Sequence, residues 1–132
     1  LRWLSEKFME RSACLVADTY TSGWTSWMPF VDRSNFLGFM GESYARIFLN
    51  SGTALMAENI IKMVKKYDAD GVVFHSNRSC KPYSFGQYDI QRIVRKKLGI
   101  PTLMIEADMV DERSFSESQI ETRIDAFIEM LK

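Results

Sequence analysis

Residues 70–89 read D-G-V-V-F-H-S-N-R-S-C-K-P-Y-S-F-G-Q-Y-D, and the change of character along this stretch decides the fold. Gly71, Val72, Val73 and Phe74 form a short apolar run of the kind that becomes a strand buried on both faces. It ends in six consecutive polar or reactive residues, His75 to Cys80. Ser84 and Gln87 then stand as an S-x-x-Q capping box ahead of Ile90, Ile93, Val94 and Leu98 at helical spacing. The order is strand, polar loop, helix. In an open parallel α/β sheet, ligands settle beyond the carboxyl ends of the strands, beside the starts of the following helices. Cys80 lies in such a loop, and a helix start favours a thiolate, the form that ligates metal or attacks a substrate. From the residues alone, Cys80 is either such a group or a partly exposed thiol without a role.

Working outward, Leu55, Met56, Ile60, Met63, Val64 and Tyr67 recur at helical spacing and predict a helix over residues 53–67. Gly99 and Pro101 end the helix that follows the central loop, and Thr102 to Ile105 is a further apolar strand closing in Glu106-Ala107-Asp108. A last helix is expected with Ser116 as N-cap, Gln119 at the third position, Phe115 stapled on Ile120, and a core stripe of Ile120, Ile124, Phe127, Ile128 and Leu131. Toward the amino terminus, Trp3, Leu4 and Phe8 mark the end of an amphipathic helix, and Ala13 to Asp18 reads as a buried strand with Cys14 as an inert core residue. Alternating helices and strands generate a parallel sheet with helices on both faces, flavodoxin-like or Rossmann-like in kind. Three strand ends should then converge, bringing Asp18, the loop His75 to Cys80, and Glu106 with Asp108 to one edge.

Between these elements, Tyr20, Trp24, Trp27, Phe30, Phe36, Phe39, Tyr44 and Phe48 are interleaved with Gly23, Pro29, Gly38 and Gly41. No period runs through the first part, and a short helix is expected over residues 42–50. The segment Trp24 to Phe48 reads either as a docking surface or as a satellite core under an irregular crossover.

The 132 residues are expected to form a single α/β domain. Seventeen basic residues balance seventeen acidic ones, so no global charge favours nucleic acid or a membrane surface. Arg95-Lys96-Lys97 is explained as the positively charged last turn of a helix. No apolar run approaches the roughly 20 residues that span a bilayer, and two cysteines make no disulfide framework, so a cytoplasmic protein is expected. The chain begins at Leu1 within a helical pattern, which points to the carboxyl-terminal part of a longer subunit, truncated on its amino-terminal side.

Neither G-x-G-x-x-G nor a phosphate-loop pattern occurs. Cys80, His75 and the acids Glu106 and Asp108 are the components of a nucleophilic Cys-His-acid set, if the fold brings them together. Cys80 and His75 alone are a thin metal site, since zinc and iron-sulfur centres take three or four ligands.

The run H-S-N-R-S-C-K-P-Y-S-F-G-Q-Y-D at 75–89, E-A-D-M-V-D-E-R at 106–113 and the closing Q-I-E-T-R-I-D-A-F-I-E-M-L resemble the carboxyl-terminal part of the 2-hydroxyacyl-CoA dehydratase and benzoyl-CoA reductase family. A-C-L-V-A-D-T-Y-T-S-G-W at 13–24 is similar but less specific. The resemblance implies a subunit of an oxygen-sensitive lyase that carries a 4Fe-4S cluster on three cysteines and works with a related second subunit and an ATP-dependent iron-sulfur activator protein. One-electron activation of an acyl-CoA thioester to a ketyl radical then allows water to leave a 2-hydroxyacyl-CoA, whereas reductases of the family pass electrons to an aromatic thioester. On this resemblance Cys80 is the last of the three cluster cysteines, with Arg78, Ser79 and Lys81 around it. Cys14 has no counterpart in the motif, so the ligand set in this chain is incomplete. Two rivals stand beside that reading: a non-catalytic binding or assembly domain of the same fold, and a flavodoxin-like binder of flavin.

Overall fold

In the computed structural model, which describes residues 2–20, 32–108 and 110–131, the centre is a parallel pair of strands. β1 (Val72–Asn77) and β2 (Thr102–Ala107) run in register from Val72 opposite Thr102 to Asn77 opposite Ala107. The pairing extends at both ends, with the Val72 N–H donating to the Pro101 carbonyl at 3.1 Å and the Arg78 N–H to the Ala107 carbonyl at 3.2 Å. Among the described residues five helices accompany it: α1 (Arg2–Met9), α2 (Phe36–Ala45), α3 (Thr53–Tyr67), α4 (Gln87–Leu98) and α5 (Glu117–Leu131). Short 3-10 turns occupy Phe48–Asn50, Lys81–Tyr83 and Glu112–Ser114.

Because successive strand residues point to opposite faces, β2 feeds two cores. Leu103, Ile105 and Ala107 join Phe8 of α1 and Ile120, Ile124, Phe127 and Ile128 of α5. Met104 and Phe74 join Met56 and Ala57 of α3, Ile90 and Val94 of α4, Phe48 and Tyr83. The result is the expected α/β arrangement, helices on both faces of a parallel sheet. On the first face, Phe8 meets Phe127 edge-on at 6.2 Å, Lys7 Nζ lies 2.7 Å from Glu121, and Arg11 pairs with Asp125. α4 ends on Gly99 at φ 69°, a left-handed turn that costs glycine least, and its N–H closes on the Arg95 carbonyl at 2.9 Å.

Four expectations are corrected. Ala13 to Asp18 is not a buried strand: among the described residues the sheet has two strands, and this run pairs with neither. An apolar strand needs a hydrogen-bonded neighbour to be covered, and here Leu15 and Val16 remain 39% and 50% exposed while only Ala13 packs against the core. Cys14 is consequently exposed, not an inert core residue. The Ser84–Gln87 capping box does not form. Ser84 closes the preceding 3-10 turn, its Oγ reaching the Lys81 carbonyl at 3.4 Å, and α4 starts after Gly86. Gly86 lies so near α3 that a Cβ there would sit 2.5 Å from Thr53 Cγ2, so the residue at the helix start is one without a side chain. Finally, the helix expected over 42–50 is α2, which begins earlier on the Asn35 cap, and Phe48–Asn50 is a separate turn. Trp24, Trp27 and Phe30 lie outside the described residues.

Ile124 is fully buried between α5 and the sheet. Ile124→Ala should lower unfolding stability by about 2–5 kcal/mol, the usual cost of such a cavity. A urea titration checks it: the midpoint should fall at unchanged slope, while the exposed control Glu129→Ala leaves the midpoint near that of the parent.

Candidate functional site at the carboxyl end of the sheet

The register sets Ser76 opposite Glu106 and Asn77 opposite Ala107, so the two strands release their loops at the same level. Asp108, one residue beyond β2, ties those loops together. Its Oδ2 accepts the Ser79 N–H at 2.9 Å and the Ser79 hydroxyl, and its Oδ1 accepts the N–H groups of Val110 at 2.9 Å and Asp111 at 3.1 Å. The Ser79 hydroxyl, followed by the Val110 N–H, holds the Asp108 carboxyl below its ordinary value. Glu106 is held in the same direction, first by the Tyr88 hydroxyl that donates to it and then by Arg78, whose Nη2 lies 3.5 Å away.

Cys80 sits just past β1, half-buried against the Phe48–Tyr83 core, its N–H donating to the Asn77 carbonyl at 3.0 Å. The expectation that a helix start faces this thiol is corrected. Cys80 enters the Lys81–Tyr83 turn, and α4 begins only at Gln87, beyond the single turn over which a helix terminus acts strongly. Ser79 is turned to Asp108, Arg78 is exposed and reaches Glu106, and Lys81 is exposed at the start of the turn.

His75 does not join Cys80. It lies on the α1–α5 side of β1, and its Nδ1 is 2.9 Å from the Tyr20 hydroxyl. A Cys80–His75–acid set is therefore not assembled, since His75 bonds to Tyr20 and Asp108 to Ser79. Nor, among the described residues, do any three His, Cys, Asp or Glu side chains gather closely enough to hold a metal ion. Cys80 is a single thiol, so the chain's own donors do not complete an iron-sulfur site.

Asp18 does reach this edge. Its Oδ1 accepts the Tyr20 N–H at 2.8 Å, and the Tyr83 hydroxyl donates to the Thr19 carbonyl at 3.1 Å. Tyr20 stacks on Tyr83 with ring centroids 4.3 Å apart. Burial pushes the Tyr20 phenol up to about 12, with Tyr83 and Cys80 adding to the shift. Burial also raises Tyr83, opposed by its bond to Thr19 and assisted by Cys80 and Asp18. Burial likewise lowers His75 below its ordinary 6.5, although Asp108 pulls the other way. Beside this pair opens a mainly apolar cleft of about 210 Å³, walled by α1, the ends of both strands and the start of α5. Its other lining residues include Trp3, Phe115 and Ile120. Sequence pattern alone marks Trp3 as part of an amphipathic helix and Tyr20 as one of a run of interleaved aromatics, and assigns neither to a cleft. No local pattern could pair residues 55 positions apart, as the Tyr20–His75 bond does.

No helix among the described residues is long and apolar enough to cross a membrane. The family model described as 2-hydroxyglutaryl-CoA dehydratase, D-component, matches residues 1–131. The chain is 38% identical over 93 residues to the alpha chain of lactoyl-CoA dehydratase of Anaerotignum propionicum, an alignment that covers 70% of this chain and 22% of that protein. It is 30% identical over 126 residues to a benzoyl-CoA reductase subunit of Thauera aromatica, covering 94% and 29%. To the (R)-2-hydroxyisocaproyl-CoA dehydratase alpha subunit of Clostridioides difficile it is 33% identical over 98 residues, covering 74% and 24%. The chain thus spans about a quarter of the length of these curated relatives.

The Asp108 strut has a testable pH signature. A carboxyl depressed in the folded state stabilises above its unfolded value, here 3.8, and ceases to do so as pH falls through the lower folded value. Amide exchange protection at Ser79 and Val110 should persist at neutral pH and decline below about pH 4. Asp108→Asn, which turns an acceptor into a donor facing donors, should already lower those protection factors several-fold at pH 7.

Proposed function

The chain belongs to the 2-hydroxyglutaryl-CoA dehydratase D-component family, and on that premise we propose that it is the carboxyl-terminal α/β domain of a cytoplasmic 2-hydroxyacyl-CoA dehydratase subunit. In this reading Cys80 supplies one thiolate to a 4Fe-4S cluster. The observation that carries the proposal is the position of Cys80: half-buried, immediately past the carboxyl end of β1, in the N-R-S-C-K-P-Y-S loop and inside the matched span.

When bound, such a cluster supplies one-electron chemistry, the activation that removal of a scarcely acidic β-proton requires. The chain by itself holds no complete site for it, so the remaining thiolates come from other parts of the full polypeptide. What this chain contributes is positional. The Asn77 carbonyl and the Lys81–Tyr83 turn fix the backbone around Cys80. Asp108 anchors Ser79 beside it, and Arg78 supplies positive charge at the rim while leaning on Glu106. Nearby positive charge and hydrogen bonds to sulfur tune a cluster's potential. The partners follow the same logic: a related second subunit, an ATP-dependent iron-sulfur activator and an acyl-CoA substrate. The naming of several relatives as alpha subunits supports a multi-subunit enzyme.

A reductase subunit is the second reading, because the likeness to the Thauera benzoyl-CoA reductase runs through 94% of this chain. Product analysis separates the two, an unsaturated acyl-CoA by loss of water against a dearomatised ring.

Anaerobic reconstitution of the full-length subunit tests the cluster role. Cys80→Ala should lose most of the bound iron and sulfide and the visible absorbance of the cluster, whereas Cys14→Ala keeps them. Undiminished iron and sulfide in Cys80→Ala would reject the assignment.

A further inference from the structure

The Cys80 side chain is not among the residues that line the cleft on the α1–α5 face, and the composition of that cleft is uneven. Ile105, Ala107, Phe115 and Ile120 make its walls mainly apolar, while the Tyr20–His75 pair and the Asp108 carboxylate are the polar groups that line it. Few, convergent polar groups in an apolar recess are the usual make-up of a small-molecule site. The hydrogen bond within the pair has a direction. The Tyr20 phenol keeps its proton throughout the physiological range, and the partly buried His75 imidazole favours its neutral form. Tyr20 O–H therefore donates to Nδ1, which leaves the imidazole proton on Nε2. Among the described residues no hydrogen bond engages Nε2. The pair thus presents a neutral N–H donor at an apolar recess, suited to an uncharged oxygen acceptor.

Resting on the dehydratase reading above, we propose that this cleft seats the acyl portion of the thioester, with the His75 Nε2–H donating to an acyl oxygen and Tyr20 fixing the tautomer that makes it a donor. The acyl class follows from size and polarity. An apolar cavity of ~150 Å³ is large enough for benzene, so about 210 Å³ admits a branched aliphatic or aromatic acyl group. A second carboxylate on the acyl chain would lose its water against Phe115 and Ile120, with no cation among the described lining residues to replace it. The cleft therefore selects against dicarboxylic acyl groups. His75 touches the ligand; Tyr20 acts through His75 and is a positioning residue.

The test is equilibrium dialysis of the reconstituted full-length complex with two thioesters that cannot lose water, 4-methylpentanoyl-CoA and glutaryl-CoA. Free CoA and iron content serve as controls. The parent should bind the branched thioester at least tenfold more tightly than glutaryl-CoA. His75→Ala should weaken the branched thioester about tenfold, the size of one net hydrogen bond of ~1.4 kcal/mol. His75→Gln, which keeps an N–H donor, should recover part of that loss. Tyr20→Phe should weaken binding less than His75→Ala. Phe115→Ala, at a partly exposed wall position outside the buried core, should lower the preference for the branched group. Affinity for free CoA and iron content should stay at parent values in each. Equal affinity for the two thioesters, or His75→Ala and Phe115→Ala both binding 4-methylpentanoyl-CoA like the parent, would overturn the proposal. Binding needs no turnover, so the outcome can be read even if Cys80 proves not to ligate a cluster.

Discussion

The parallel register of β1 on β2 is the constraint from which the rest follows. With Val72 opposite Thr102, every second side chain of β2 enters one core and the intervening ones the other. A slip of one residue would drive Leu103 and Ile105 from the α5 side into the α3–α4 side and undo both cores at once. The same register sets the heights at which the chain leaves the sheet. Only because Asn77 and Ala107 end level can the carboxylate of Asp108 span to Ser79 on the neighbouring loop.

That carboxylate shows how a short sheet builds a precise edge. Four donors converge on it, two from the loop after β1 and two from its own loop, so both loops share one anchor. Charge-assisted bonds of this type are stronger than neutral ones, and their geometry is fixed by the backbone N–H groups on either side. Glu106 makes a second link, gathering Tyr88 of α4 and Arg78 of the β1 loop. Cys80 is positioned by this framework without being part of it. Tyr20 and Tyr83 add a further link at this edge, their stacked rings and the Tyr83–Thr19 bond joining residues 19–20 to the turn after Cys80.

Sequence reading succeeded where one element carries its own signal. The apolar stripe of residues 53–67 became α3, and that of Ile120, Ile124, Phe127 and Ile128 became the buried face of α5. It failed where the outcome depends on a neighbour. Ala13 to Asp18 has the composition of a strand, but strand formation requires a partner edge, and neither β1 nor β2 supplies one to it. The Ser84 cap did not form because Ser84 is engaged elsewhere, closing the Lys81–Tyr83 turn with its N–H and hydroxyl on the Lys81 carbonyl. For the site, the loop holding Cys80 was legible because strand, polar run and helix are contiguous. The Tyr20–His75 pair was not, because its members come from distant parts of the chain and meet only across a folded edge.

What the sequence determined by itself is the alternation of strand and helix, the two-sided burial of the central strands and the family motif around Cys80, all written in local periodicity and contiguous residues. Only the tertiary structure decided the two-stranded register, the exposure of Cys14, the separation of His75 from Cys80 and the cleft beside Tyr20. The physical reason is that hydrophobic periodicity specifies which face of an element is buried but not what it is buried against. A hydrogen bond such as that from Tyr20 to His75 exists only once two independently encoded faces have met.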